Sequence, residues 1–132
     1  MSVKLLKVET FPTGKFLCNC SLIYSTETME AIIIDPGDDE KYLLSEIEAR
    51  NLKVKLLLHT HAHFDHIGCS KAIHQKYNAN ICLHKGDEFL YKSLPVQAMM
   101  FGLKPMMPGK VNQWLQDGEE FSLDDYELKK FL

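Results

Sequence analysis

Four side chains of metal-ligating type fall within six consecutive residues, His61-Ala62-His63-Phe64-Asp65-His66. In extended backbone alternate side chains share a face, so His61 and His63 can converge on one metal ion. Asp65 and His66 come at the turn into the next element, on a changed backbone path, and can face a second ion. Two-metal sites hold their ions about 3.5 to 4 Å apart, close enough for both to act on one water that attacks a carbonyl carbon or a phosphorus. A purely structural role gives three histidines no reason to be spaced this way beside an aspartate.

The elements around this cluster must deliver it to a surface. Val54 to Leu58 reads as a buried strand, and the cluster follows its C-terminal end, where layered β-α folds commonly place their chemistry. Upstream, Val3 to Glu9 and Phe16 to Tyr24 read as strands joined by the turn signals Pro12-Thr13-Gly14. Met29 to Ile34 is a third, isoleucine-rich strand stopped by Asp35-Pro36-Gly37. Asp38 then opens a helix through Asn51, with Tyr42, Leu43, Ile47 and Leu44 on its apolar face. Downstream, Ser70 to Tyr77 predicts a helix, Ala79 to Leu83 a strand, and Gly86 to Leu90 a helical turn or short helix. Tyr91 to Lys110, broken by Pro95, Pro105 and Pro108 and rich in methionine, reads as an irregular connector over the core, with a substrate lid as the alternative. The runs bracketed by Asp117-Gly118 and Asp124-Asp125 and ending in Tyr126 to Leu132 predict a terminal strand pair.

The motif Thr60-His61-Ala62-His63-Phe64-Asp65-His66 matches in full the T-H-x-H-x-D-H signature of the metallo-β-lactamase superfamily, which the chain resembles. Asn19-Cys20-Ser21-Leu22-Ile23 resembles the early core strand of that family, Ile33-Ile34-Asp35-Pro36-Gly37 its strand-to-helix turn, and Gly68 follows the motif as the family does. The resemblance is nearest to the glyoxalase II-like hydrolases. It implies an α/β, layered αββα sandwich, of which residues 1–132 would form a single partial domain, the N-terminal half to two-thirds.

It also implies roles for individual residues. His61 and His63 would ligate a first metal, Asp65 and His66 a second, and Asp65 would also orient the attacking water. Asp35 would accept a hydrogen bond from a metal-bound imidazole and fix its tautomer; its alternative role is an N-cap of the following helix. The implied cofactor is zinc, as one or two ions, with iron or manganese also compatible with nitrogen and oxygen donors. The implied substrate is a small thioester or ester. A mononuclear iron persulfide dioxygenase shares the same first motif. A module that binds metal or assembles without turnover is the reading from another class.

His59 extends the alternation of His61 and His63 and could complete a three-imidazole site, though the family pattern places a non-ligand there. His74 and His84 are expected to be exposed or locally hydrogen-bonded. No histidine follows position 84, whereas the family draws a later His, a bridging Asp and a further His from beyond its first motif. Asp117, Asp124 and Asp125 sit in turn sequences and do not replace them. A homodimer or a further C-terminal segment would complete the set, and strands left without the second half would keep apolar surface or an unpaired edge.

Bulk properties narrow the partners. A net charge of −3 with scattered basic residues gives no electrostatic footprint for nucleic acid or anionic membrane. No run approaches the roughly 18 apolar residues of a membrane span, and Met1 to Lys7 lacks the pattern of a signal peptide, so a cytoplasmic chain is expected. The cysteines at 18, 20, 69 and 82 are too few and too uneven for a disulfide scaffold. Within Cys18-Asn19-Cys20 they are expected to pack as small hydrophobes rather than to form half of a thiolate site.

Overall fold

β-branched and leucine-rich runs become the centre of a mixed sheet. The computed structural model of the protein describes residues 6–13, 18–37, 39–60, 70–84, 88–100, 111–115, 120–123 and 126–129. Six strands, β1 (Leu6–Thr13), β2 (Cys18–Ser25), β3 (Glu30–Ile34), β4 (Lys53–Leu58), β5 (Asn80–His84) and β6 (Gln113–Leu115), pair in sequence order. The first two pairings are antiparallel. The last three are parallel. Each parallel step needs a crossover. These are α1 (Glu40–Ala49), α2 (Ser70–Tyr77), and the short pair α3 (Glu88–Lys92) and α4 (Leu94–Met100). A separate antiparallel pair, β7 (Glu120–Leu123) and β8 (Tyr126–Lys129), lies with β7 against β3.

Strand alternation sorts the core into two faces. Leu22, Ile33, Leu57 and Ile81 point to one face and pack with Leu43 and Ile47 of α1 and Ile73 of α2. Their neighbours Ile32, Leu58 and Cys82, with Leu115 of β6, form a second buried cluster, against which Ile23, Ile34 and Leu56 are partly buried. Crossovers of one hand between sequential parallel strands put their helices on a single face, which accounts for the division. Burying one such aliphatic side chain contributes about 1.5 to 3 kcal/mol.

The helix ends explain where the sequence reading shifts. α1 starts at Glu40 rather than Asp38, because the Asp39 carboxylate accepts the Tyr42 N–H at 3.2 Å and caps it. Its C-terminus closes with Asn51 in the left-handed region at φ 55°, Asn51 N–H on Glu48 O and Leu52 N–H on Ile47 O, a Schellman pattern. On its apolar face Leu43 and Ile47 are buried, while Tyr42 is 38% exposed and meets Phe11 edge-on. α2 ends with Asn78 at φ 57°, whose N–H reaches His74 O.

Three other expectations change. β1 runs on through Pro12, which an edge strand tolerates because its outer N–H groups need no partner. β6 was not foreseen, since three residues give too short a pattern. The short helix expected at Gly86 to Leu90 is α3, two residues later at Glu88–Lys92, and the expected connector holds a helix of its own, α4, with Pro95 in its first turn where a missing N–H does no harm; residues 101–110, with the rest of the lid alternative, lie outside the described residues.

Arg50, just ahead of β4, ties α1 to the edge of the sheet. Its guanidinium bonds Glu9 at 2.8 Å and Glu46 at 2.6 Å, and the Tyr24 hydroxyl donates to Glu9 at 2.6 Å. The hydrogen bonds from Arg50 and Tyr24 hold the Glu9 carboxyl down at about 2. Burial and the Glu9 carboxylate push the Tyr24 phenol up. Among the described residues no helix is long and apolar enough to cross a membrane.

Candidate metal centre

The C-terminal ends of β3 and β4 lie side by side, with Ile34 opposite Leu58 in the parallel ladder. Asp35 extends that ladder by donating its N–H to Leu58 O at 2.8 Å. It then leaves the strand at φ 55°, a left-handed conformation that aspartate tolerates better than most residues, followed by Pro36 and by Gly37 at φ 83°. The turn directs the Asp35 carboxylate onto Thr60. Oδ1 accepts the Thr60 N–H at 2.8 Å, and Oδ2 accepts the Thr60 hydroxyl at 2.5 Å. At 5% exposure a carboxylate needs such donors, and bonds to a charged acceptor are the stronger class.

The N-cap alternative for Asp35 therefore gives way, since the cap of α1 is Asp39. Among the described residues the Asp35 carboxylate is seen to hold the first residue of the T-H-x-H-x-D-H motif by both its backbone and its side chain. The four expected ligands, His61, His63, Asp65 and His66, lie outside the described residues, as does Gly68. Within the described residues alone no group of three or more His, Cys, Asp or Glu could hold a metal ion.

The neighbouring His59 is fully buried. Its Nδ1 lies 2.9 Å from Cys82 O in β5, and its Nε2 lies 2.7 Å from Ser70 Oγ at the start of α2. A carbonyl oxygen only accepts, so in the neutral ring Nδ1 carries the proton and Nε2 accepts from the Ser70 hydroxyl. With both ring nitrogens engaged in this way, His59 does not extend the metal-ligating alternation. This contact was invisible to sequence reasoning because Cys82 and Ser70 come from different elements; an imidazole one residue before the motif was its single signal.

His74 Nδ1 bonds Ala79 O at 2.6 Å, the local role expected of it. His84 is the last residue of β5, paired in register with Leu115. Cys20 and Cys82 are buried, Cys20 in the helix-covered core and Cys82 on the opposite face. Close by, the Tyr91 ring meets Trp114 of β6 edge-on at 6.3 Å, and burial pushes its phenol up to about 12.

A mixed sheet with sequential parallel crossovers, and a T-H-x-H-x-D-H motif entered from the end of β4, define a class that the comparisons bear out. The chain belongs to the metallo-beta-lactamase superfamily, whose family profile matches residues 13–129. Among its relatives is the hydroxyacylglutathione hydrolase GloC of Haemophilus influenzae, 37% identical over 126 residues that cover 94% of this chain and 59% of that protein. The chain thus spans somewhat over half the length of that relative.

Solved structures agree on the fold. The BLEG-1 B3 metallo-beta-lactamase superposes with a TM-score of 0.81 at 24% identity, over 93% of this chain and 59% of that one. TTHA1623 in a di-iron-bound form superposes with a TM-score of 0.77 at 28% identity, over 86% and 56%.

Proposed function

We propose that this chain carries the first metal-ligand segment of a metal-dependent hydrolase of the glyoxalase II type, acting on a small thioester or related ester. The likeness to a hydroxyacylglutathione hydrolase over 94% of the chain is the observation that carries the reading. His61 and His63 would hold one ion, and Asp65 and His66 a second. Their imidazole and carboxylate donors fit zinc, and also admit iron or manganese. Such an ion supplies Lewis acidity and a water nucleophile at neutral pH. Asp65 would orient that water toward the thioester carbonyl. Asp35 serves the segment by anchoring Thr60, its first residue. The rest of the ligand set would come from a further C-terminal segment or from a second copy of the chain. A cytoplasmic setting goes with this reading, because four unevenly spaced cysteines do not make the disulfide scaffold of a small secreted domain.

The test is hydrolysis of a hydroxyacylglutathione thioester by the zinc-supplemented protein over a range of protein concentrations, with a β-lactam as control substrate. Thioester turnover that a chelator abolishes, with the β-lactam left intact, is the expected result. A rate rising faster than linearly with protein would identify the second copy as the source of the missing ligands. Bound metal without turnover at any concentration would exclude the second copy as that source and leave this chain, by itself, a metal-binding module.

A further inference from the structure

All four residues proposed to hold metal lie in one segment, 61–69, and the structure describes both of its flanks. On the entry side Thr60 is held by Asp35. On the exit side Ser70, 2% exposed at the start of α2, is held by His59, itself fully buried. The two ends of the segment are thus tied back to the same strand terminus, with His59 and Thr60 adjacent in sequence.

A fully buried position in this core could be filled by leucine. Two neutral hydrogen bonds of about 1 kcal/mol each give an imidazole no large advantage in stability over such a side chain. What the imidazole adds is direction. Its Nδ1–H on Cys82 O fixes the ring against β5, and the ring then presents Nε2 to the Ser70 hydroxyl. The start of α2 is thereby placed relative to β4 and β5 by a bond as well as by packing. A segment whose ends are fixed loses less freedom when its side chains close on an ion, so its ligands are better preorganised.

We infer that His59 and Ser70 form a clasp that closes the metal-ligand segment and strengthens its grip on the ion, His59 acting as a positioning residue and not as a ligand. This inference rests on the proposed metal-binding role of His61, His63, Asp65 and His66. It assigns a function to the one histidine of the run His59, His61, His63 that the metal set does not use.

The test is zinc affinity, measured by competition with a chromogenic chelator, for the wild-type protein, Ser70→Ala, Ser70→Thr and the double variant His59→Leu with Ser70→Ala. Thermal midpoints are taken with and without zinc beside it. Changes to groups that orient metal ligands typically weaken binding about 10- to 100-fold, and the lower end is expected for Ser70→Ala. Ser70→Thr, which keeps the hydroxyl, should bind nearly as wild type, and the double variant should be little worse than Ser70→Ala. The zinc-induced rise in midpoint should shrink in Ser70→Ala in addition to any fall in the metal-free midpoint. Wild-type affinity in Ser70→Ala would overturn the clasp while leaving the metal site standing. Loss confined to the metal-free midpoint would also overturn it, reducing the pair to a structural bond. Failure of the wild-type protein itself to bind zinc would overturn the metal reading and the clasp with it. If the double variant does not fold, Ser70→Ala and Ser70→Thr decide the matter between them.

Discussion

Ahead of β4, Arg50 is shared between Glu9 and Glu46 through side chains that keep 22%, 38% and 28% of their surface exposed. Beyond its other end, Asp35, His59 and Ser70 make their bonds at 5% exposure or less. Both groups tie distant elements together, and both involve charge. The difference is solvent. Water competes for the Arg50 network, so it fastens α1 at small net gain. At the far end Asp35, His59 and Ser70 have given up water while Thr60 stays exposed, and a bond lost to any of those three leaves a buried group unsatisfied. A fold places that second kind of network where geometry matters, and here it surrounds the segment with the metal-ligating residues.

This contrast is open to mutation. The largest effect is expected for Asp35→Ala, which removes the acceptor of both Thr60 bonds and puts alanine at φ 55°; a loss of about 3 kcal/mol or more should appear in urea unfolding. Asp35→Asn keeps an acceptor oxygen and tolerates the backbone, so it should retain a good part of that stability. Next comes Thr60→Val, which deletes only the hydroxyl bond and should cost about 1.5 to 3 kcal/mol. Equal stability of Thr60→Val and wild type would remove the distinction between the two ends of β4.

At the near end the effects should be smaller. Asn51→Ala, at φ 55°, should cost about 1 to 2 kcal/mol, and Asn51→Gly almost nothing. Glu9→Gln should cost less than about 1 kcal/mol near neutral pH. Its signature is in acid. The Glu9 carboxyl is held at about 2 in the folded protein, below its ordinary 4.5. Its contribution is therefore complete above about 4.5 and disappears as pH falls toward about 2. Urea unfolding between those limits should show a shallower loss of stability in Glu9→Gln than in wild type.

What could be read in the sequence followed the same division. The strands β2 to β5 and the helices α1 and α2 were legible because alternation, isoleucine runs and turn residues report on packing that repeats along the chain. Asp35-Pro36-Gly37 announced a turn, and its aspartate was singled out, yet Thr60, read as the first residue of the motif, was not foreseen as its partner. Asp39 rather than Asp38 caps α1, a one-residue difference that only backbone geometry settles. The clasp was wholly illegible. It joins the end of β4, the middle of β5 and the start of α2, and no periodicity connects His59, Ser70 and Cys82. β6 escaped notice because three residues carry no pattern of their own.

The most direct test is the metal content per chain, by elemental analysis, of the wild-type protein and of a His61→Ala, His63→Ala variant, each purified without chelator. Zinc, iron or manganese in the wild type, lost from the variant while its fold persists, is the expected result. Equal metal in both proteins, or none in the wild type even after zinc is supplied, would show that the segment following β4 is not a metal site.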